Sequence, residues 1–406
     1  MKVFVVNCGS SSIKYQLFSM THEKVLAKGV LERVGTAEAN LKHTTDDEET
    51  FEKNVSAPNH TEGLKIIIEA LADEQMGVIS SIEEIEGVGH RVVHGGENIT
   101  ASCRIDRKVL DVIRGNFELA PLHNPPNLAG IEAAMTSMPD VPHVAVFDTA
   151  FLSSLPQRAY RYAVPDEWYT EYHVRKYGFH GTSHRYVTQA TAEMLGKSLD
   201  QVNLITCHLG NGCSMTAVRG GRAIDHSMGM TPLEGLVMGT RSGDIDPAII
   251  FYMMNHGKLT VAEVDKALNK RSGLIGLSGV SNDMRDILTS RENGNRRAEL
   301  AVEIFVYRLI RYIGSYSIIL PELDAIVLTG GVGENSRFVR WRLLEQLGKL
   351  GVVGDMDRNE RVIRGKSGPI TTDDSQLPVL IVPTNEELTI ARDTRDLVAG
   401  KKPAAG

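Results

Sequence analysis

Two short glycine-rich polar turns, about 200 residues apart, each interrupt a pair of strand-like apolar runs. The first, Asn7-Cys8-Gly9-Ser10-Ser11-Ser12-Ile13-Lys14, follows Val3-Phe4-Val5-Val6. The second, His208-Leu209-Gly210-Asn211-Gly212-Cys213-Ser214, follows Val202-Asn203-Leu204-Ile205-Thr206. Such a turn exposes backbone N–H groups and hydroxyls with little side-chain bulk in the way, which suits an anionic phosphate. Taken alone, each is also compatible with a plain hairpin. Two in matching places predict a duplicated fold that grips a polyphosphate from both sides, and hence a phosphoryl-transfer enzyme.

The order of elements supports duplication. Residues 3–7, 13–18 and 25–34 read as strands, and 46–49, all acidic, as a solvated loop or edge. Residues 61–75 take helical spacing, with Leu64, Ile67, Ile68 and Leu71 on one face. A strand at 87–93, a helix at 127–138 with its N-cap region at Asn124-Pro125-Pro126-Asn127, and a strand at 143–148 complete the first half. From about 200 the order repeats, with helices near 247–255, 261–270, 296–316 and 337–350, and strands at 325–329 and 379–382. A last helix at 385–398 is expected to cross back onto the first half. The prediction is an α/β chain of two domains, 1–150 with 386–406 and 151–385, with a cleft between them and hinges near 149–152 and 383–386. The tail at 401–406 reads as frayed.

Composition narrows the partners. A formal charge of -7 over 406 residues leaves no basic footprint for nucleic acid. No apolar stretch approaches the ~18 residues of a membrane span. Met1-Lys2 leads straight into the first strand without a signal-peptide pattern, and four cysteines form no CxxC pair, so a cytoplasmic protein with reduced thiols is expected. The P-loop pattern, a complete dinucleotide fingerprint and the protein-kinase signatures are all absent, which sets this phosphotransferase outside those classes.

Several residues stand out, each with two readings. Arg91, in a strand ending in Gly95-Gly96, is an ion-pair partner or a fork for carboxylate or phosphate. Arg241, in Gly239-Thr240-Arg241-Ser242-Gly243-Asp244-Ile245-Asp246, either pairs with Asp244 or Asp246 or faces a ligand. Asp148 ends a strand, where α/β proteins place catalytic groups, but could cap the following turn. His180, flanked by Gly178 and Gly181, is a satisfied structural histidine or a ligand contact. The pairs His90/His94 and His180/His184 have zinc-like spacing, but neither segment reads as fully helical and no HExxH occurs. Gly330-Gly331-Val332-Gly333-Glu334-Asn335 is a strand-to-helix turn, or backbone packed against a base or ribose. Val93, Leu122, Phe179 and Pro232 are apolar neighbours of these motifs, for which core is the default.

Together the motifs resemble the acetokinase family, within the sugar kinase, Hsp70 and actin superfold. The resemblance rests on VNCGSSSIKY at 6–15, HRVVHGG at 90–96, PLHNPPN at 121–127, VFDTAF at 146–151 and YGFHGTSHRYV at 177–187. It continues through HLGNGCS at 208–214, DHSMGMTPLEGLVMGTRSGDIDP at 225–247, GGVGENS at 330–336 and PTNEEL at 383–388. It implies duplicated ribonuclease H-like (actin-like ATPase) domains, a homodimer through the second domain, and reversible Mg²⁺-dependent transfer (with Mn²⁺ as a substitute) from ATP to acetate. Products would be ADP and acetyl phosphate. It further implies that Asn7 and Glu386 hold Mg²⁺, and that Lys14, Ser10 and Ser12 face the phosphates. His208, Leu209, Gly210, Asn211 and Gly212 would hold ATP phosphate, with Asp283, Met284, Arg285 and Gly331 through Asn335 around the adenosine. Arg91 and Arg241 would grip the carboxylate, His180 and Arg241 the transferring phosphoryl, and Asp148 would orient rather than act as a base. Val93, Leu122, Phe179 and Pro232 would bound the substrate methyl. Leu152 stands where the family usually has His, and Gly330 where it usually has Ala. A propionate or short-chain fatty acid kinase is the nearest alternative, and a non-catalytic nucleotide-gated module a remote one.

Overall fold

The computed structural model describes residues 1–402, so the expectation for the end of the tail lies outside the described residues. The chain divides into two compact units, Met1–Ser153 with Asn385–Gly406, and Ser154–Thr384.

The first unit is built on an eight-stranded sheet: β1 (Lys2–Cys8), β2 (Ser12–Ser19), β3 (Lys24–Glu32), β4 (Thr36–Thr45), β5 (Thr50–Ala57), β6 (Ile85–Val92), β7 (Cys103–Arg104) and β8 (His143–Phe147). Their order across the sheet is β5-β4-β3-β2-β1-β6-β8-β7. β1 pairs antiparallel with β2 and parallel with β6, and β6 pairs parallel with β8. Five strands precede the first helix, where the sequence reading had three. Asp46 at the β4–β5 turn is not merely solvated, since Lys24 Nζ binds it at 2.6 Å. Phe4, Val6, Tyr15, Leu17 and Leu31 meet Leu64 and Ile67 of helix His60–Leu71 in one core. Each large side chain so buried contributes roughly 1.5–3 kcal/mol.

Helix Asn124–Ser137 starts three residues before the expected 127, because proline is tolerated in a first turn, where its missing N–H would be unpaired anyway. Asn124 and Asn127 do not cap it. They brace the segment after β6: their Oδ1 atoms accept from His94 N and Val93 N at 3.1 Å each, while Asn127 Nδ2 donates to Cys8 O at 2.7 Å. Helix Glu386–Val398 packs on β6, where a Cβ at Gly89 would lie 2.4 Å from Thr394 Oγ1. Arg392 clamps the helix to Glu23 with bonds of 2.9 and 2.6 Å.

The second unit repeats the plan with β9 (Asn203–Leu209), β10 (Cys213–Arg219), β11 (Arg222–His226), β12 (Ala325–Thr329), β13 (Gly368–Pro369) and β14 (Val379–Ile381), ordered β11-β10-β9-β12-β14-β13. In both units three antiparallel strands lead into two parallel ones, so the duplicated ribonuclease H-like architecture is present. Two readings change. The segment Gly330–Asn335 is itself a helix with Thr329 at its N-cap position, and helix Arg337–Leu344 stops short of 350, leaving only a turn at Gly348–Leu350. A helix at Gly181–Met194 had no counterpart in the reading. It contains His184, and its N-cap is His180 in the left-handed conformation, φ 58°.

Candidate active site

In the first unit the carboxyl ends of β1, β6 and β8 are neighbours, which gathers Asn7, Arg91 and Asp148. Arg91 forms a bidentate pair with Asp148, Nη2 to Oδ2 at 2.5 Å and Nε to Oδ1 at 3.2 Å. Its Nη1 donates to Asn7 Oδ1 at 3.5 Å, and its Nε lies 3.9 Å from Glu386 Oε2 at the start of helix Glu386–Val398. The ion-pair reading of Arg91 is therefore realised. Burial works against its charge, but Asp148 and Glu386 outweigh it and push its pKa up. Glu386 shifts the opposite way to a typical paired carboxylate. Burial, then Asp148 and Glu387, outweigh Arg91 and Lys14 and push it up to about 7.

The hairpin holds the rest. Lys14 faces Asn7 across β1–β2 and is exposed, as is Ser10, while Ser12 is half-buried. Gly9 N donates to Ser12 O at 2.8 Å, closing the turn. Val93 is buried beside this cluster, but Leu122 is 58% exposed and is not core.

In the second unit Phe179 is buried and Pro232 half-buried. Arg241 Nη1 donates to Pro232 O at 2.6 Å and, among the described residues, makes no ion pair. The alternative partners are engaged elsewhere: Asp244 accepts from Gly235 N (2.7 Å) and Tyr312 Oη (2.9 Å) and meets Arg308, while Asp246 caps Ala248 N at 2.9 Å. Burial lowers the pKa of Arg241, so an anion beside it would relieve a desolvated charge. Gly212 lies against both Arg241 and His180, since a Cβ there would be 3.2 Å from Arg241 Nη2 and 3.2 Å from His180 Cε1. Gly212→Ala should cost on the order of 10-fold in turnover with the fold intact, through displacement of Arg241 and His180. Steady-state kinetics beside a thermal melt would check this; unchanged turnover would mean that the spacing is unimportant.

A cavity of about 590 Å³ opens beside the second turn. Of the expected nucleotide residues, Gly210, Asn211, Asp283, Met284, Arg285, Gly331, Val332 and Asn335 line it. Others do not. His208 bonds Ser183 Oγ at 2.8 Å, Leu209 is core, and Gly333 packs near Leu328. Glu334 Oε1 accepts from Gly330 N at 2.8 Å and so pins its own helix. Asp283 caps helix Met284–Glu292 and holds Arg285 at 2.6 Å. Asn282, Leu274, Leu288, Arg337 and Phe338 also line the cavity and carried no sequence signal, because no motif contains them; Ser336, the last residue of the 330–336 motif, joins them. Gly330 suits its place in this chain: its φ is +76°, and a Cβ would lie 2.9 Å from Leu209 O.

The model of the Acetokinase family matches residues 2–392. The chain belongs to the acetokinase family. Among its relatives, an acetate kinase of Thermotoga maritima is 54% identical over 400 residues, 98% of this chain and 99% of that protein. The crystal structure of Porphyromonas gingivalis acetate kinase superposes with a TM-score of 0.93 at 44% identity, covering 97% and 98% of the two chains. A propionate kinase from Francisella tularensis follows at TM-score 0.91 and 39% identity, covering 97% and 99%. The acetokinase fold is thus shared over nearly the whole chain. Among the described residues no helix is long and apolar enough to cross a membrane.

Proposed function

We infer that this chain catalyses reversible phosphoryl transfer from ATP to acetate, giving ADP and acetyl phosphate: it has the activity of an acetate kinase, a phosphotransferase with a carboxyl acceptor. The observation that carries this is full-length identity above half to proteins of that activity, with the motif residues gathered as described. A propionate kinase stands only as a structural neighbour.

The carboxylate of the substrate is already a nucleophile, so positioning and electrostatics suffice. ATP takes the 590 Å³ cavity with its base, and its phosphates reach Gly210 to Gly212. Arg91 and Arg241 grip the acceptor carboxylate, and Arg241 and His180 donate to the transferring phosphoryl. Lys14, Ser10 and Ser12 face the phosphates. Asp148, committed through both oxygens to Arg91, orients it. Val93, Leu122, Phe179 and Pro232 bound the methyl. The two units supply these groups separately, dividing between Ser153 and Ser154 and between Thr384 and Asn385.

Mg²⁺ fits the donor set. Asn7 and Glu386 offer hard oxygens, and among the described residues no group of three or more His, Cys, Asp or Glu could cage a metal. That suits an ion that keeps its waters and leans on phosphates. Mg²⁺ would neutralise phosphate charge. Glu386 must lose its proton to bind it, and at a pKa of about 7 part of the population is protonated near neutrality. Mg²⁺ affinity should therefore rise with pH through 7, with proton release measurable by calorimetry in two buffers; Glu386→Gln should abolish that release. The linked stability has a definite sign. A carboxyl raised in the folded state stabilises below its unfolded pKa of about 4.5, and that contribution is lost as pH rises through about 7.

The chain forms a homodimer through the second unit. Supporting this, helix Ala248–Asn255 buries none of its residues although it reads AIIFYMMN, and Phe251 and Tyr252 are 65% and 61% exposed. Light scattering should give about twice the 44.5 kDa of one chain. A cytoplasmic site of action fits these substrates.

Acyl phosphate trapped as hydroxamate, with Mg-ATP and formate, acetate, propionate or butyrate, tests the activity. An acetate optimum is expected; a propionate optimum would move the substrate, and no product with any acid would overturn the reading.

A further inference from the structure

Behind His180 lies a line of buried polar groups that the mechanism above does not use. Thr206 on β9, Ser214 on β10 and His184 on helix Gly181–Met194 are each wholly buried. Thr206 Oγ1 lies 2.7 Å from His184 Nδ1, His184 Nε2 lies 2.8 Å from Ser214 Oγ, and Ser214 Oγ lies 2.8 Å from His180 Nδ1. Four groups are thus joined by three bonds.

The direction of the line follows from proton counting. Among the described residues Thr206 Oγ1 has one hydrogen-bond partner, His184 Nδ1. If the imidazole donated there, the threonine proton would be buried without an acceptor, at a cost of roughly 1–3 kcal/mol. Thr206 therefore donates. Burial drives the His184 pKa well down, so that ring is neutral and carries its one proton on Nε2. It donates to Ser214, whose own proton is then directed at His180 Nδ1. His180 must accept there, which leaves its proton on Nε2. That edge faces Gly212, where a Cβ would lie 3.3 Å from His180 Nε2 and 3.2 Å from Arg241 Nη2. A lone pair at this point would repel a phosphoryl oxygen; an N–H attracts it.

We propose that Thr206, His184 and Ser214 form a one-way hydrogen-bond relay that holds neutral His180 in its Nε2–H tautomer, so that it presents a donor beside Arg241. The three are positioning residues, not catalytic ones. Neighbouring His226 shows that tautomers here are set individually. Its Nε2 accepts from Phe179 N at 3.1 Å, so its proton sits on Nδ1, the opposite arrangement. The proposal rests on His180 serving the transferring phosphoryl.

The test combines ¹⁵N NMR of the histidine rings at mildly alkaline pH with a double-mutant cycle on the full chain. In the wild type, His180 should show a pyrrole-like Nε2 and a pyridine-like Nδ1. Ser214→Ala should mix its tautomers and lower kcat by about 10-fold to 100-fold, the scale of losing a supporting hydrogen bond, with KM for ATP within about twofold. In a His180→Ala background the same change should alter kcat by less than about twofold. Thr206→Val, nearly isosteric, should mix the tautomers as well and serves if Ser214→Ala does not fold. A wild-type His180 protonated on Nδ1 would overturn the relay, as would an equal loss from Ser214→Ala with and without His180. If His180→Ala itself leaves kcat unchanged, the role of His180 fails while the NMR still decides the tautomer.

Discussion

Arg241→Ala should lower kcat by about 10²–10³-fold, the cost of removing one preorganised donor aimed at developing charge. The reason lies in how the guanidinium is held. Asp244 and Asp246, the acids nearest in sequence, are occupied by other groups, so Arg241 keeps its charge uncompensated in a buried setting. In low dielectric such a charge interacts strongly with an anion. One bond to Pro232 O orients it without neutralising it. Arg241→Lys should recover only part of the loss, because an ammonium lacks the planar fork that meets two oxygens together. Turnover and KM for both substrates would be measured together. A kcat within threefold of wild type would remove Arg241 from the phosphoryl-transfer step.

Asp148→Ala should damage both stability and catalysis. Asp148 is 1% exposed and binds Arg91 through both oxygens, while Arg91 is 21% exposed. Removing one partner of a mostly buried pair leaves the other charge poorly solvated, at a cost of roughly 3 kcal/mol. The freed Arg91 still has Glu386 3.9 Å away, and it should swing toward that carboxylate. This would misplace the fork meant for the substrate and occupy an oxygen donor intended for Mg²⁺. A turnover loss of about 10²-fold follows from misplacement on the scale of 1 Å. Denaturant midpoints and kinetics at saturating Mg²⁺ would separate the two effects. Asp148→Asn, which keeps the shape and one acceptor, should lose less stability than alanine. If alanine cost turnover but no stability, Asp148 would be acting on the substrate directly rather than through Arg91.

The geometry also explains why parts of the fold were hard to read. β4 and β5 carry little apolar alternation: β4 buries only Ala39, Leu41 and the polar His43, and β5 exposes most of its residues. Helix Gly181–Met194 is rich in glycine, threonine and serine at its buried positions, residues with weak helix propensity, and burial of that face overrides the preference. His180 is drawn as an N-cap in the left-handed region, which no spacing rule would assign to it. Glu334 sat within a motif but turned out to brace its own helix, since a carboxylate four residues after a buried N–H is well placed to accept from it.

From the sequence alone came the two phosphate-type turns, the repeated order of elements, the α/β class and the identity of the charged residues, because turn chemistry and apolar periodicity are local properties of the chain. Which charges meet was decided only by tertiary structure. Asn7, Arg91 and Asp148 become neighbours because β1, β6 and β8 lie side by side in parallel, and adjacent strands sit about 4.8 Å apart. Glu386 joins them only because glycines on β6 let the last helix lie against the sheet. Arg241 forms no ion pair because its nearby acids find other partners, and the proton on His180, at a helix N-cap, is directed by a threonine on β9. Ion pairs and hydrogen bonds act over a few ångströms in space, whatever the separation along the chain, so these assignments required the fold.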